Sequence, residues 1–190
     1  MKVIPTAIEG VVVIEPQLFG DARGYFTESY SAARFDAAVR RVHFVQDNES
    51  RSRRGVVRGL HFQRGRHAQS KLVRVVEGRV LDVAVDIRRG SPTFGRHVAV
   101  ELTGENHRQL FIPRGFAHGF AVLSTTALFQ YKCDNSYAPE AEGAIAWDDP
   151  DLAIDWRIAP EEAILSAKDT CHPRLREAGE LFDYNTDYYA

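Results

Sequence analysis

The stretch RVLDVAVDI, residues 79–87, has the clearest periodicity in the sequence. Large apolar residues occupy every second position, and acidic or small residues alternate with them. The two sets are Leu81, Val83, Val85 and Ile87 on one side and Asp82, Ala84 and Asp86 on the other. A period of two is that of a β-strand, in which successive side chains point to opposite faces of the sheet. This stretch therefore predicts a sheet strand as the basic unit of the fold.

The same period recurs along most of the chain, in short runs separated by turn signals such as EG, RRGSP, TGEN and PRG. The other predicted strands are VVVIE (11–15), VVRGLHF (56–62), KLVRVV (71–76), HVAVEL (97–102), QLFI (109–112), GFAVL (119–123) and ALFQYKC (127–133). Many short strands at this spacing are typical of an all-β sandwich or barrel.

Helical periodicity is limited to two short segments. A helix is predicted over SAARFDAAVRRV (31–42), with Ser31 as its N-cap, and a shorter one near PEEAIL (160–165). The apolar stripe of the first helix is Phe35, Ala38, Val39 and Val42. The aromatic C-terminus, LFDYNTDYYA, is predicted to pack against the rest of the chain.

Length and composition exclude several classes of protein. A chain of 190 residues without repeats or linkers predicts one domain over residues 1–190, with an aromatic C-terminal extension over 176–190. A hydrophobic content of 44% and a net charge of -2 do not fit a disordered chain or a nucleic-acid-binding protein. Two cysteines without a CxxC pair favour a reduced, cytoplasmic protein. No apolar run approaches the roughly 20 residues of a membrane span, so neither nucleic acid nor membrane is expected as a partner.

The strand VVRGLHFQ, residues 56–63, carries Arg58 and His61 between apolar residues. Either these polar groups are exposed or paired within a sheet, or the strand lines a pocket that needs a base and a cation. Strict alternation places His61 and Gln63 on one face and Arg58 on the other. If the strand lines a pocket that uses both side chains, a bulge or bend at Gly59 would re-aim the chain, and the pocket interpretation predicts this local structure.

Other polar and aromatic blocks accompany this strand. They are FGDARGYFTESY (19–30), FVQDNESRSRRGVVRGLHFQ (44–63), AQSKLVRVVEG (68–78), IPRGFAHGFAVL (112–123), YKCDNSYAPE (131–140) and LSAKD (165–169). With RGLHFQ, SPTFG, IPRGFAHGF and SAKD in this order, the chain resembles the dTDP-4-dehydrorhamnose 3,5-epimerase family of metal-free cupins, from its first strand to about Leu175. The resemblance implies a cupin-type jelly-roll β-barrel with a few short helices and a pocket in its mouth. It also implies epimerisation at C3 and C5 of dTDP-4-dehydro-6-deoxy-D-glucose.

The chemistry implied by the resemblance requires a base, an acid and a cation. Protons next to the C4 ketone are acidic, so inversion needs a base on one face, an acid on the other and a positive charge for the enolate. The resemblance implies His61 as the base and Asp169 as its carboxylate partner. Tyr131 is implied as the proton donor, and Lys71 is the best candidate for the cation.

The resemblance also implies the residues that hold the substrate. Arg23 and Arg58 suit the diphosphate and the sugar, because guanidinium groups match phosphate oxygens, and Tyr137 would stack on the thymine ring. The other implied contacts are Glu28, Gln46, Asn48, His118, Glu142 and Lys168. Ser136 replaces an expected second tyrosine and Glu49 an expected histidine, which leaves the nucleotide contacts open.

No metal or organic cofactor is expected, because the ketone itself acidifies the protons that move. A homodimer is expected, in which the segment 19–30 reaches a neighbouring subunit, because the family is dimeric and the apolar N-terminal strand has no evident partner in a closed barrel. The alternatives are a C3-only epimerase, a 3,4-ketoisomerase, a metal-dependent cupin and a non-catalytic sugar-binding barrel. Against the metal-dependent cupin, His61 is followed by Phe62 and Gln63, where a first metal motif needs a second histidine.

Overall fold

The computed structural model describes residues 1–190 and consists mainly of β-strands. The strands are β1 (Lys2–Pro5), β2 (Val12–Glu15), β3 (Leu18–Asp21), β4 (Gly24–Thr27), β5 (Gln46–Arg53), β6 (Val57–Gln63), β7 (Lys71–Glu77), β8 (Arg79–Asp86), β9 (Arg88–Arg89), β10 (His97–Thr103), β11 (Gln109–Ile112), β12 (Phe116–Val122), β13 (Thr126–Cys133), β14 (Glu142–Ala144) and β15 (Phe182–Asp183).

Two antiparallel sheets form the body of the fold. The six-stranded sheet has the order β1-β2-β11-β7-β13-β5, and the five-stranded sheet has the order β10-β8-β12-β6-β14. The inward faces of the two sheets share one apolar cluster, to which Val73 and Phe129 contribute from the larger sheet and Phe120 and Val122 from the smaller. This arrangement confirms the all-β prediction and the jelly-roll β-barrel.

Strand β8 has the predicted alternation. Leu81, Val83 and Val85 belong to an apolar cluster on the outer face of the five-stranded sheet, whereas Ala84 belongs to the cluster inside the barrel. Both faces of the strand are buried because the C-terminal third of the chain covers the outer face. Residues that make this cover include Ile145, Leu152, Trp156, Leu175 and Phe182.

The aromatic C-terminus packs against the barrel, as predicted. The ring of Phe182 lies 6.0 Å from that of Phe62 and 4.9 Å from that of Tyr188. The hydroxyl of Tyr189 lies 2.6 Å from Oγ of Ser70, the residue before β7. The end of the chain is therefore held next to the strand that carries Lys71.

The single α-helix, α1 (Ala32–Ala38), is shorter than the predicted segment 31–42. Phe35 packs on Phe111, with ring centroids 5.2 Å apart. The helix ends early in part because the Asp36 side chain accepts a hydrogen bond from the backbone N–H of Val42 at 3.3 Å, which a longer helix would direct to a backbone carbonyl.

The remaining helices are single 3-10 turns at Gly65–His67, Pro139–Ala141, Pro160–Glu162 and Leu175–Glu177, and the third replaces the helix predicted over 160–165. No helix combines the length and apolar character that crossing a membrane requires.

Two parts of the N-terminal half differ from expectation. The apolar N-terminal strand was expected to have no partner within the barrel. This expectation is wrong, because β2 lies between β1 and β11. Strand β5 was not predicted because its sequence, QDNESRSR, is polar throughout. It pairs with β13 along its whole length as an edge of the larger sheet, where one face and one side remain open to solvent.

Strands β3 and β4 form a separate hairpin outside both sheets. Its large apolar side chains are exposed: Phe19 to 53%, Tyr25 to 60% and Phe26 to 69%. An isolated two-stranded hairpin with this composition is not stabilised by a hydrophobic core of its own.

Candidate active site

A bulge interrupts the regular alternation of β6 between Arg58 and His61. On β12, His118 pairs with His61 and Phe120 pairs with Arg58, so Gly119 alone faces two residues of β6. This register shift confirms the bulge predicted at Gly59.

The packing of the apolar residues shows the effect of the bulge. Val57, Leu60 and Phe62 all belong to the cluster outside the barrel, which leaves Arg58 and His61 on the inner face. Gly59 has φ +129°, and a Cβ there would lie 2.5 Å from Cα of Gly119. Only glycine fits this backbone position.

A cavity of about 240 Å³ opens at this end of the barrel, between the two sheets. Its lining includes side chains from β5, β6, β7, β13 and β14, together with the segments next to them. The lining residues are Gln46, Asn48, His61, Phe62, Gln63, Gln69, Lys71, Tyr131, Cys133, Tyr137 and Glu142. The predicted residues His61, Lys71 and Tyr131 therefore share one cavity.

His61 is paired with a buried carboxylate. Its Nε2 lies 2.6 Å from Oδ1 of Asp169, whose side chain is only 4% exposed. Ser166 donates its hydroxyl to Oδ2 of Asp169 at 2.8 Å. Burial raises the pKa of Asp169, but the hydrogen bonds from His61, Ser166 and His172 outweigh it and hold the pKa below its usual value. Asp169 thus stays ionised and fixes the orientation of the imidazole.

Lys71 and Tyr131 extend into the cavity from the opposite sheet. The Nζ atom of Lys71 lies 5.8 Å from the centre of the Tyr131 ring. Burial lowers the pKa of Lys71, an effect that Cys133, Asp82 and Glu142 oppose. Burial also raises the pKa of Tyr131, although the charge of Arg58 opposes this, so the phenol keeps its proton at neutral pH.

His118 lies beneath the cavity and does not line it. Its Nε2 lies 3.0 Å from Oδ2 of Asp82, and both side chains are buried. Burial lowers the pKa of His118, although the charge of Asp82 opposes the shift. Within a single chain, the Nε2 atom of His118 is therefore engaged by Asp82. Asp82 was not among the predicted site residues, although an acid in the middle of an apolar strand is a recognisable signal.

The residues predicted to hold the nucleotide meet at the mouth of the cavity. Tyr137 donates its hydroxyl to Oε2 of Glu142 at 3.4 Å, and Lys168 donates to the same oxygen at 3.3 Å. Gln46 accepts the backbone N–H of Tyr137 at 3.2 Å and donates to Asn48 at 2.9 Å. These five residues form one polar network, which is joined through the backbone N–H of Tyr137.

Arg58 and the two earliest predicted residues lie outside the cavity lining. Arg58 donates to Oγ of Ser52 at 3.3 Å and is exposed. Arg23 is paired with Asp21 at 2.6 Å near the turn of the β3–β4 hairpin. Glu28 is paired with Arg34 at 3.3 Å. Within a single chain, the structure does not bring Arg23 and Glu28 to His61.

Glu49 and Ser136, the two positions that differ from the expected residues, do not alter the cavity lining. Glu49 accepts a hydrogen bond from Gln130 at 2.7 Å on the outer face of the larger sheet, because it alternates with the inward-facing Asn48. Ser136 offers its backbone carbonyl to Gln63 at 3.1 Å. Neither side chain lines the cavity that contains His61.

Sequence reasoning missed four further residues of the site. Gln63, Gln69 and Cys133 line the cavity, and burial raises the pKa of the Cys133 thiol to about 11. His172 contacts Asp169 at 3.3 Å. The alternation from His61 pointed to Gln63, whereas no local pattern marks His172.

The motif SPTFG proves to be structural. Ser91 and Thr93 each donate a hydroxyl to Oδ2 of Asp86 at 2.6 Å, and Arg88 donates to the same atom at 2.8 Å. The motif therefore holds a buried carboxylate at the end of β8, and it contributes nothing to the cavity.

Comparison with known proteins agrees with this geometry. The family model described as dTDP-4-dehydrorhamnose 3,5-epimerase matches residues 5–177. The chain is 55% identical to the Salmonella typhimurium protein of that name, over 94% of this chain and 97% of the relative. It is also 39% identical to a dTDP-4-dehydrorhamnose 3-epimerase from Streptomyces niveus, over 98% of this chain and 91% of that protein.

A solved structure shares both the fold and much of the sequence. It is the dTDP-6-deoxy-D-glucose-3,5-epimerase of Legionella pneumophila in complex with dTDP-4-keto-L-rhamnose. The TM-score is 0.94 at 50% identity, and the match covers 97% of this chain and 99% of that chain. A barrel with a facing histidine, lysine and tyrosine, together with these similarities, shows that the chain belongs to the dTDP-4-dehydrorhamnose 3,5-epimerase family.

Proposed function

We propose that this chain epimerises dTDP-4-dehydro-6-deoxy-D-glucose at C3 and C5 and so produces dTDP-4-dehydro-L-rhamnose. The observation that carries the proposal is the placement of His61, with its carboxylate partner Asp169, across one cavity from Tyr131. A base and an acid on opposite sheets can act on opposite faces of a sugar ring bound between them.

In the proposed mechanism, Nε2–H of His61 donates to Asp169, so Nδ1 is the nitrogen that accepts a proton from the carbon next to the ketone. The electron pair of the broken C–H bond moves into an enolate. Lys71 stabilises the charge on the enolate oxygen. Tyr131 then delivers its proton to the other face of the same carbon, which inverts that centre, and solvent restores both groups. The same cycle at the second carbon completes the reaction.

The nucleotide would bind at the mouth of the cavity. Tyr137 is 53% exposed and offers a ring face for the thymine. Gln46, Asn48, Glu142 and Lys168 supply polar contacts, and Lys168 has an exposed ammonium group near the diphosphate end of the site. Arg58 lies close enough to Tyr131 for its charge to oppose the rise in the pKa of the phenol, and it would contact the sugar or diphosphate. His118 would contact the substrate from beneath the cavity.

We further propose that residues 1–190 form one domain and that the protein is a homodimer. The β3–β4 hairpin exposes Phe19 and Phe26 and carries Arg23. Docking on a second copy would cover these rings and bring Arg23 and Glu28 to the partner's cavity. A cytoplasmic location is also proposed, because both cysteines are unpaired.

The alternative function is epimerisation at C3 only, which the similarity to the Streptomyces niveus 3-epimerase favours. NMR of dTDP-4-dehydro-6-deoxy-D-glucose in deuterated water with the enzyme separates the two. Deuterium at both carbons next to the ketone supports the double epimerase, and deuterium at C3 alone supports the alternative. If no deuterium is exchanged, the remaining interpretation is a non-catalytic sugar-binding barrel. The same assay after exhaustive chelation is expected to give an undiminished rate, because no step uses a metal.

A further inference from the structure

Three potential metal ligands meet at the buried end of the His61 pair. Asp169 Oδ1 lies 2.6 Å from Nε2 of His61 and 3.3 Å from Nε2 of His172. The ligand atoms of the three residues all lie within 4.8 Å of one another. The side chains of His61 and His172 are 33% and 19% exposed, so solvent ions can reach them. The proposed mechanism gives His172 no task.

We propose that His61, Asp169 and His172 form a binding site for Zn²⁺ and that the bound ion inhibits the enzyme. Two imidazole nitrogens and one carboxylate oxygen are a ligand set that zinc accepts, with a water molecule in the fourth position. Zn–N and Zn–O distances of about 2.1 Å place neighbouring ligand atoms of a tetrahedral site about 3.4 Å apart. The His172–Asp169 separation already fits, and His61 must move away from Asp169 by less than about 1 Å.

The surroundings favour a positive ion at this point. Ser166 binds Oδ2 of Asp169, which fixes the carboxylate and leaves Oδ1 directed at the two histidines. The nearest lysine along the chain, Lys168, is paired with Glu142. His61 and Asp169 alone provide two ligands, fewer than the three protein ligands of a typical open zinc site. His172 is therefore the residue that completes the site.

The inhibition follows from the tautomers of His61 and rests on the proposed function. Zinc at Nε2 takes the lone pair of that nitrogen, so the single proton of the neutral ring must reside on Nδ1. Nδ1 is the atom proposed to accept the substrate proton. The bound ion thus prevents His61 from accepting the substrate proton, although it does not contact the sugar. Removal of the ion by a chelator restores this capacity of His61.

Calorimetric titration of the chelated full-length protein with ZnCl₂ tests the site without any substrate. One ion per chain is expected, with affinity at least tenfold weaker in His172→Gln and unchanged in His43→Gln, whose histidine is exposed elsewhere. His172→Asn serves as a second variant, and circular dichroism verifies that each variant is folded. Co²⁺ supplies a spectroscopic readout, because four-coordinate absorption should appear in the wild type and be lost in both His172 variants. Equal zinc affinity in the wild type and the His172 variants, or no binding at millimolar ZnCl₂, would refute the site.

The effect on the reaction is measured separately, as deuterium exchange into the substrate. Each variant is compared with its own zinc-free rate. Zinc is expected to stop exchange in the wild type at concentrations that leave His172→Gln active. If zinc binds through His172 while exchange continues, the site stands and the assignment of His61 as the base fails.

Discussion

The Nε2 atom of His61 lies 2.6 Å from Oδ1 of Asp169, a residue 108 positions later in the chain. The strand that carries His61 belongs to the five-stranded sheet, whereas Asp169 comes from the C-terminal segment outside it. The C-terminal segment therefore does more than bury the outer face of the sheet, because it also supplies the carboxylate that pairs with His61. If His61 is the base, as proposed, this contact couples the packing of the C-terminal segment to catalysis.

Substitutions of His61 and Tyr131 should impair the reaction in different ways. His61→Ala is expected to abolish deuterium exchange at both carbons, because no proton can then be removed. Tyr131→Phe should still exchange, because His61 can return a proton to the face from which it came, but formation of the epimerised sugar should fall strongly. NMR in deuterated water reports both quantities in one experiment.

Asp169→Asn provides the comparison for this pair, since it removes the charge and keeps the shape of the side chain. It should resemble a weaker His61→Ala. Epimerisation by Tyr131→Phe at the wild-type rate, or normal exchange by His61→Ala, would show that the roles are assigned wrongly even though the family is correct.

Lys71 is expected to increase the rate of deuterium exchange into the substrate. Lys71→Met keeps the length of the side chain and removes its charge, so the enolate loses its cation and exchange should slow by about 100-fold. Lys132→Met is the matched control, because Lys132 belongs to the adjacent strand β13 but is paired with Asp47 at 2.9 Å. An equal loss in both variants would contradict a specific role for Lys71.

The bulge in β6 should be intolerant of any side chain. Gly59 and Gly24 both have φ +129°, but a Cβ at Gly59 would lie 2.5 Å from Cα of Gly119, whereas a Cβ at Gly24 would meet nothing within 4 Å. Both alanine variants carry the cost of the unusual backbone, roughly 1–3 kcal/mol. Gly59→Ala should lose clearly more stability and activity, which thermal unfolding and the exchange assay would detect.

If Gly59→Ala matches Gly24→Ala in unfolding temperature and keeps normal exchange, the tight approach of β6 to β12 is not required for the site. A folded but inactive Gly59→Ala protein would instead indicate that the bulge serves mainly to aim Arg58 and His61.

Asp86 should stabilise the fold in a pH-dependent way. Burial raises its pKa, but hydrogen bonds from Arg88, Ser91 and Thr93 outweigh burial and hold the pKa below its usual value. A lowered pKa contributes stability above the unfolded value of about 3.9, and this contribution is lost as the pH falls through the folded pKa. Asp86→Asn should therefore cost about 3 kcal/mol at pH 7.

The measurement is thermal unfolding at pH 7 and below pH 4. The difference between wild type and Asp86→Asn should be large at pH 7 and should shrink in acid. Asp47→Asn, at an exposed ion pair, is expected to change stability by less than about 1 kcal/mol. A difference for Asp86→Asn that stays constant with pH would mean that the carboxylate charge is not the source of its effect.

The β3–β4 hairpin should hold the proposed dimer together. Sedimentation at micromolar concentration is expected to show a dimer for the wild type and a shift toward monomer for Phe26→Asp, because an exposed phenylalanine on this hairpin would be buried in the partner. Val45→Asp alters an exposed apolar position elsewhere, 52% exposed against 69% for Phe26, and serves as the control. A monomeric wild type would count against the dimer.

Local sequence patterns determined most of the strands of this protein. A strand with one or two buried faces must place apolar residues at every second position, and the run from Leu81 to Ile87 does so without reference to any distant residue. Strand β5 escaped detection for the same reason, since an edge strand with exposed side chains needs no apolar period. The bulge at Gly59 was predictable because the family resemblance placed Arg58 and His61 in one pocket and a glycine stood between them.

The sequence by itself, through four motifs in a fixed order, also determined the family and the candidates His61, Lys71, Tyr131 and Asp169. Only the tertiary structure decided that His118 is bound to Asp82 below the cavity, that Arg23 is paired with Asp21 outside the cavity, and that His172 and His61 contact the same oxygen of Asp169. These contacts join segments that are distant in the chain or lie on irregular loops. No period along the sequence encodes them, because they depend on how the covering segment and the hairpin pack on the barrel.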